Sequence, residues 1–212
     1  MKITKKILPF LLCLAFLATL AVPVRAKSSF DKSRAKKNVT VTYKKLPDGI
    51  LAVYKNKNKT ALKLTASLNF KDAAGKSLSK EKQVNHCLGG KSTAAFFFPA
   101  PLDEYGNPVK YNSYKGSFSV AKSKHKSYSK KIKVSHELTP AEGQFTAANR
   151  SGKKLTNICA VIVFYDKNGT VQKCVVKYLN CFEKNASDSF SISYAGESYR
   201  PDRAKVYVSW AF

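Results

Sequence analysis

From residue 38 onward, apolar and polar residues alternate over short stretches, the period of strands that bury one face. The clearest run places Leu62, Leu64, Ala66, Leu68 and Phe70 on one side and closes with Asp72-Ala73-Ala74-Gly75. A second run places Ile158, Ala160, Ile162 and Phe164 on one side and closes with Asp166-Lys167-Asn168-Gly169. An alternating run ended by Asp-x-x-Gly reads as a long strand entering a hairpin, because Asp can bond back to the turn backbone and Gly accepts positive φ. In the second run the opposite face, Cys159, Val161, Val163 and Tyr165, is also apolar. That strand is therefore expected to be covered twice, once by its own sandwich and once by the other half of the chain.

The two runs are copies. A gapless offset of 94 carries Leu64 onto Ile158, Phe70 onto Phe164, Gly75 onto Gly169, Cys87 onto Cys181 and Phe96 onto Phe190. Upstream an offset of 93 pairs Val39 with Ile132 and Pro47 with Pro140; downstream an offset of 88 pairs Tyr111 with Tyr199 and Phe118 with Val206. Each copy predicts six strands: 39–43, 50–54, 62–70, 77–86, 94–98 and 114–121, then 132–136, 145–148, 155–165, 171–179, 189–194 and 205–212. Copies of about 80 residues are too long for solenoid units, which run about 20 to 50. The expected fold is all-β: two tandem Ig-like antiparallel β-sandwich domains, 38–121 and 134–212, with no amphipathic helix after the N-terminal signal.

The stretch Ile162-Val163-Phe164-Tyr165-Asp166, followed by Asn168-Gly169 and preceded by Asn149, resembles the bacterial domain family named for its FxLYD motif. Ile162 stands for the Phe of that motif and Phe164 for its Leu. The first copy, Leu68-Asn69-Phe70-Lys71-Asp72, lacks the Tyr. The resemblance implies a secreted Ig-like sandwich and brings no catalytic residue with it.

The N-terminus agrees with export. Lys2, Lys5 and Lys6 precede an apolar run from Ile7 to Val22, and Val24-Arg25-Ala26 offers small residues where a signal peptidase reads. Residues 1–26 thus read as a signal peptide cleaved after Ala26, giving a secreted or envelope-associated protein. Cleavage leaves 34 basic against 13 acidic residues, a net +21. The excess is concentrated in a basic arm, 27–37, and a Lys-rich connector, 122–133, which contains Lys122, Lys124, Lys126, Lys130, Lys131, Lys133 and no acid. Such a run is either a solvated tether or a contact for an anionic cell-wall polymer or membrane surface. Only five of the 38 basic residues are Arg; since Arg is the usual reader of bases and bidentate clamp of phosphate, no specific nucleic-acid recognition is expected.

Other candidate chemistry is sparse. No nucleophile elbow, phosphate cradle or Cys-x-x-Cys spacing is present, so neither an enzyme nor a cofactor or metal site is expected. Of the four cysteines after the signal, Cys159 and Cys174 lie on strands joined by one hairpin and are a possible disulfide; alternatively all four are small buried hydrophobes. Phe96-Phe97-Phe98 is either a strand buried on both faces or an exposed aromatic platform. With Tyr105, Tyr111 and Tyr114 in the Pro-rich loop, such a platform would make a carbohydrate-binding accessory module, the alternative to a non-catalytic basic binding protein.

Overall fold

The alternating runs fold as the strands they predict. The computed structural model describes residues 29–212; the expected signal peptide, with cleavage after Ala26, lies outside the described residues. In the first repeat β1 (Val39–Leu46), β2 (Gly49–Asn56) and β5 (Ser92–Pro99) form sheet A in the order β1-β2-β5, and β3 (Leu62–Lys71), β4 (Ser77–Leu88) and β6 (Ser113–Lys122) form sheet B in the order β4-β3-β6. The second repeat reproduces both orders. Sheet C is β7-β8-β11 (Ile132–Leu138, Glu142–Asn149, Ser187–Ser193), and sheet D is β10-β9-β12 (Val171–Phe182, Leu155–Tyr165, Arg203–Trp210). All pairings between neighbouring strands of these sheets are antiparallel. Residues 31–212 form one compact unit.

Each repeat is a β-sandwich with its own core. In the first, Ile50, Ala52 and Tyr54 of β2 and Phe96 and Phe98 of β5 face Leu62, Leu64, Ala66, Leu68 and Phe70 of β3, all buried. Tyr54 meets Phe96 edge-on within sheet A and reaches across to Phe118 of sheet B, both at 5.6 Å. In the second, Phe145 and Tyr194 close on Ala160, Ile162 and Phe164 of β9, and Ile132, Ala147, Leu155, Ile158 and Phe182 continue the core toward the connector. Burying such aliphatic and aromatic side chains contributes about 1.5–3 kcal/mol each.

The second faces of β2, β5 and β9 are apolar as well, and they meet one another. Leu46, Leu51 and Ala95 of sheet A pack on Val161, Val163 and Cys174 of sheet D, with Val53, Phe97, Tyr165 and Tyr207 at the margin. Phe96 and Phe98 are buried in the first core and Phe97 is half-buried in this interface, so the triplet forms no exposed aromatic platform.

Two hydrogen-bonded devices recur in both repeats. Buried Asn56 donates through Nδ2 to the carbonyls of Thr60, Leu88 and Gly89, and its Oδ1 accepts from the Asn58 backbone N–H. Asn149 does the same to Lys153, Phe182 and Glu183, and accepts from Ser151. One buried amide thus satisfies backbone groups from three segments that no ladder reaches. The hairpin turns match too: Asp72 and Asp166 each accept from the backbone N–H four residues on at 2.8 Å, and Gly75 and Gly169 both sit at φ 81°.

Two sequence expectations need correction. The offset linking β6 to β12 is 90 rather than 88, because Phe70 pairs with Tyr114 where Phe164 pairs with Ala204, and Ala66 with Phe118 where Ala160 pairs with Val208. Aligning Tyr111 with Tyr199 misled, since both precede the strands and fix no register. The basic arm also contains a helix, α1 (Lys32–Lys37). Asp31 caps it by accepting from Arg34 N–H at 2.9 Å, its basic residues gather in the last turn, and Ala35 is buried. Under two turns long, and so too short to show a 3.6-residue period, it holds by its cap and by the Asn58 amide, which donates to the Ala35 carbonyl.

Candidate functional site

The faces of sheets A and D that pack on each other are apolar only part of the way along. Leu51 and Val53 share a face of β2 with Lys55, and the partners of Val53 and Lys55 on β1 are Thr42 and Thr40. Lys55 also pairs with Thr93 of β5. On β12, Lys205 and Tyr207 pair with Val163 and Val161 of the same interface. Where valine and leucine give way to lysine and threonine, desolvation no longer favours contact, and the sheets leave a cleft of about 720 Å³.

Five lysines line this cleft: Lys55 and Lys91 from the first repeat, Lys130 and Lys133 from the connector and β7, and Lys205 from the second repeat. No Asp or Glu is among its lining residues. Thr40, Thr42, Thr93 and Ser129 stand among these lysines, and Val53 and Tyr207 supply apolar surface; Val206 and Val208, also at the edge of the cleft, lie on the core face of β12. All five lysine side chains are on exposed residues. Lys130 Nζ donates to the Gly90 carbonyl at 3.1 Å, and the Lys205 ammonium lies 5.0 Å from the centre of the Tyr207 ring. A concave surface carrying one sign of charge focuses field and concentrates counter-ions.

Lys91 owes its position to the turn joining β4 to β5. Its N–H donates to the Asn58 carbonyl at 2.9 Å, and a Cβ on the preceding Gly90 would collide with the carbonyl of Lys59. The chain leaves this close approach with Lys91 at φ 53°, in the left-handed region. Its counterpart in the second repeat, Asn185, has φ 57°.

The connector is stitched to both repeats rather than being a free tether. Ser123 Oγ donates to the His86 carbonyl, Cys87 Sγ to that of His125, Tyr128 N–H to that of Ala211 and Arg150 N–H to that of Lys131. Its six lysines, Lys122, Lys124, Lys126, Lys130, Lys131 and Lys133, are all exposed. Lys130 and Lys133 face the cleft; Lys126 and Lys130 also line a smaller hollow of about 240 Å³ with Lys59. Lys122, Lys124 and Lys131 line neither. Lys55, Lys91 and Lys205 were not singled out from the sequence, since each stands alone in its own strand or turn.

The loop tyrosines do not converge. Tyr105 is 81% exposed at the tip of an Asp103–Gly106 turn, where Asp103 accepts from Asn107 N–H at 2.8 Å. Tyr111 is buried instead, 4.8 Å from the Phe70 ring, so it closes the first core and is not available to a glycan. Tyr114 is half-buried against Tyr43 at 5.9 Å.

Cys159 and Cys174 are free buried thiols, which corrects the disulfide expectation. Cys159 pairs with Tyr178, while Cys174 pairs with Val163. The two thus lie four positions apart along the strands, about 13 Å at 3.3–3.4 Å per residue, beyond the reach of a bridge. Burial pushes each thiol up to about 12. His86 and His125 approach edge-on at 6.4 Å beside Phe212; burial, then Lys63 and His125, hold His86 below the ordinary histidine value. Among the described residues no three His, Cys, Asp or Glu side chains gather to hold a metal, and no helix is long and apolar enough to cross a membrane.

No family model matches the chain and no curated protein matches it. Among solved structures it is similar to red sea bream transglutaminase at 10% identity and a TM-score of 0.29, over 80% of this chain and 28% of that one.

Proposed function

We propose that the protein is a secreted, non-catalytic binding protein of the bacterial cell envelope, and that it contacts anionic polymers or surfaces through its lysines. The acid-free cleft between the repeats carries this reading. A diffuse excess of lysine would favour any polyanion weakly, whereas here five ammonium groups from three separate parts of the chain converge on one concavity. The exposed lysines of the connector extend the positive field beyond it.

The test is salt-dependent association of the mature chain with polyphosphate and with phosphatidylglycerol vesicles. The Debye length falls from about 10 Å at 0.1 M salt to about 3 Å at 1 M, so complexes held by exposed lysines dissociate across that range. A variant with Lys122, Lys124, Lys126, Lys130, Lys131 and Lys133 changed to Gln is expected to bind more weakly and with a shallower salt slope. Absence of binding at low salt, or identical binding by both proteins at every salt, would refute the proposal.

A further inference from the structure

The cleft has more chemistry than a polyanion needs. Charge alone would be served by lysines on a convex face, yet this site sets lysines among Thr40, Thr42, Thr93 and Ser129 hydroxyls over Val53 and the Tyr207 ring. Tyr207 is half-buried against the interface, and the Lys205 ammonium lies over one face of its ring, 5.0 Å from the centre, so the rest of the ring lines the cleft beside that charge. A ring face that packs on C–H surface, hydroxyls that exchange hydrogen bonds, and ammonium groups that pair with acids match one kind of ligand: a chain of sugar rings bearing anionic groups. Polyphosphate has no apolar surface to lay on such a floor. A planar bilayer cannot enter a concavity set between two sandwiches.

Building on the polyanion reading above, we propose that the cleft between the repeats binds an acidic polysaccharide. Its sugar rings rest on Tyr207 and Val53, and its carboxylate or phosphate groups meet Lys55, Lys91, Lys130, Lys133 and Lys205.

Lys91 gives this proposal an independent footing. The turn between β4 and β5 and its copy between β10 and β11 both require a left-handed residue, at φ 53° and 57°. The second repeat fills the position with Asn185, which tolerates that region; the first fills it with Lys91, which does so less readily. Lys91 thus carries backbone strain at a position whose side chain lines the cleft, which a binding role would explain.

The probes are an oligogalacturonate (carboxylate), a phosphate-bearing glycan chain, a neutral maltooligosaccharide, polyphosphate and phosphatidylglycerol vesicles, each titrated calorimetrically into the full mature chain at low and moderate salt. At moderate salt an acidic glycan is expected to bind at least about tenfold more tightly than either the neutral sugar or polyphosphate; the two acidic glycans identify which anion is preferred. Lys91→Asn is expected to leave the melting temperature unchanged or raised while weakening acidic-glycan binding, a combination that a structural role for Lys91 would not give. Tyr207→Phe is expected to retain glycan binding, and Tyr207→Ala to lose it while polyphosphate binding persists. Should Tyr207→Ala fail to fold, Lys91→Asn and Lys205→Gln still decide the question. If polyphosphate or vesicles bind as tightly as the acidic glycans, the polysaccharide assignment falls and the polyanion reading stands. If nothing binds even at low salt, both fall. If acidic glycans bind but Lys91→Asn and Lys205→Gln leave that binding unchanged, the cleft is not the site.

Discussion

Replacing Asn149 with Ala tests whether the amide bracket is what ties each sandwich together. Asn149 is fully buried, and its removal strips partners from the carbonyls of Lys153, Phe182 and Glu183 and from the N–H of Ser151. These losses are unequal. The Lys153 carbonyl retains the Ser151 hydroxyl and the Glu183 carbonyl retains the Ala186 N–H, so the main damage falls on the Ser151 N–H and the Phe182 carbonyl. Each buried polar group left unsatisfied costs about 1–3 kcal/mol, which puts the variant about 3 kcal/mol below wild type. For a chain of this size that lowers the melting temperature by roughly 6–12 °C. Thermal and urea unfolding followed by circular dichroism measure it. Asn149→Asp adds a signed control: it keeps the acceptor for Ser151 but places a carboxylate among three carbonyl oxygens, so it should destabilise more than Ala at neutral pH. That carboxyl is held protonated more readily in the folded chain than in the unfolded one, so its deficit should shrink as pH falls toward about 4. Asn56→Ala should cost as much as Asn149→Ala. A loss below about 0.5 kcal/mol for Asn149→Ala would show that the bracket is incidental.

Two further outcomes follow from packing and ionisation. Phe164→Ala, at a fully buried ring within 6.0 Å of Phe145 and 5.8 Å of Tyr194, is expected to cost about 3–5 kcal/mol in urea unfolding, and a near-neutral result would mean the core face of β9 is misassigned. Cys159 and Cys174, with thiols pushed up from the ordinary 9.0 to about 12, should resist alkylation at pH 8 until the protein unfolds. Because the unfolded chain ionises these thiols first, the stability they contribute is complete below about pH 9 and is lost as pH rises toward 12; rapid labelling of the native protein would refute their burial.

Local pattern carried the strands, the duplication and the turns, because each depends on residues close in sequence. Leu62 to Phe70 and Ile158 to Phe164 alternate as they do since each strand must bury one face, and the second apolar face at Val161 and Val163 announced a further partner before any was visible. Asn149 stood out only as part of a family likeness, and its role depends on carbonyls up to 34 residues away. The β6 register was illegible for a different reason: Ser113 to Lys122 is largely polar on one face and the flanking loops differ in length, so a two-residue slip preserves the alternation. The cleft was least legible. Lys55, Lys91 and Lys205 are ordinary solvated lysines in sequence, and they become a site only when sheet A lies on sheet D.

A duplicated sandwich can hold a cleft that neither copy contains. The interface is made from the second faces of β2, β5 and β9, positions free to become apolar once a partner sheet is tethered nearby, and the tether need only be short for the local concentration to be high. Burying Leu51, Ala95, Val161 and Val163 fixes the angle between the sheets, so the divergence beyond them is fixed as well. Lysine in that divergent region is tolerated because it remains solvated, and five of them held within one cleft repel each other in the absence of an anion. The interface offsets that repulsion through its apolar area, and the anionic ligand proposed above would relieve it. Hence the lysines of the cleft oppose the packing that assembles them, and the same packing fixes the shape of the cleft whether or not an anion is bound.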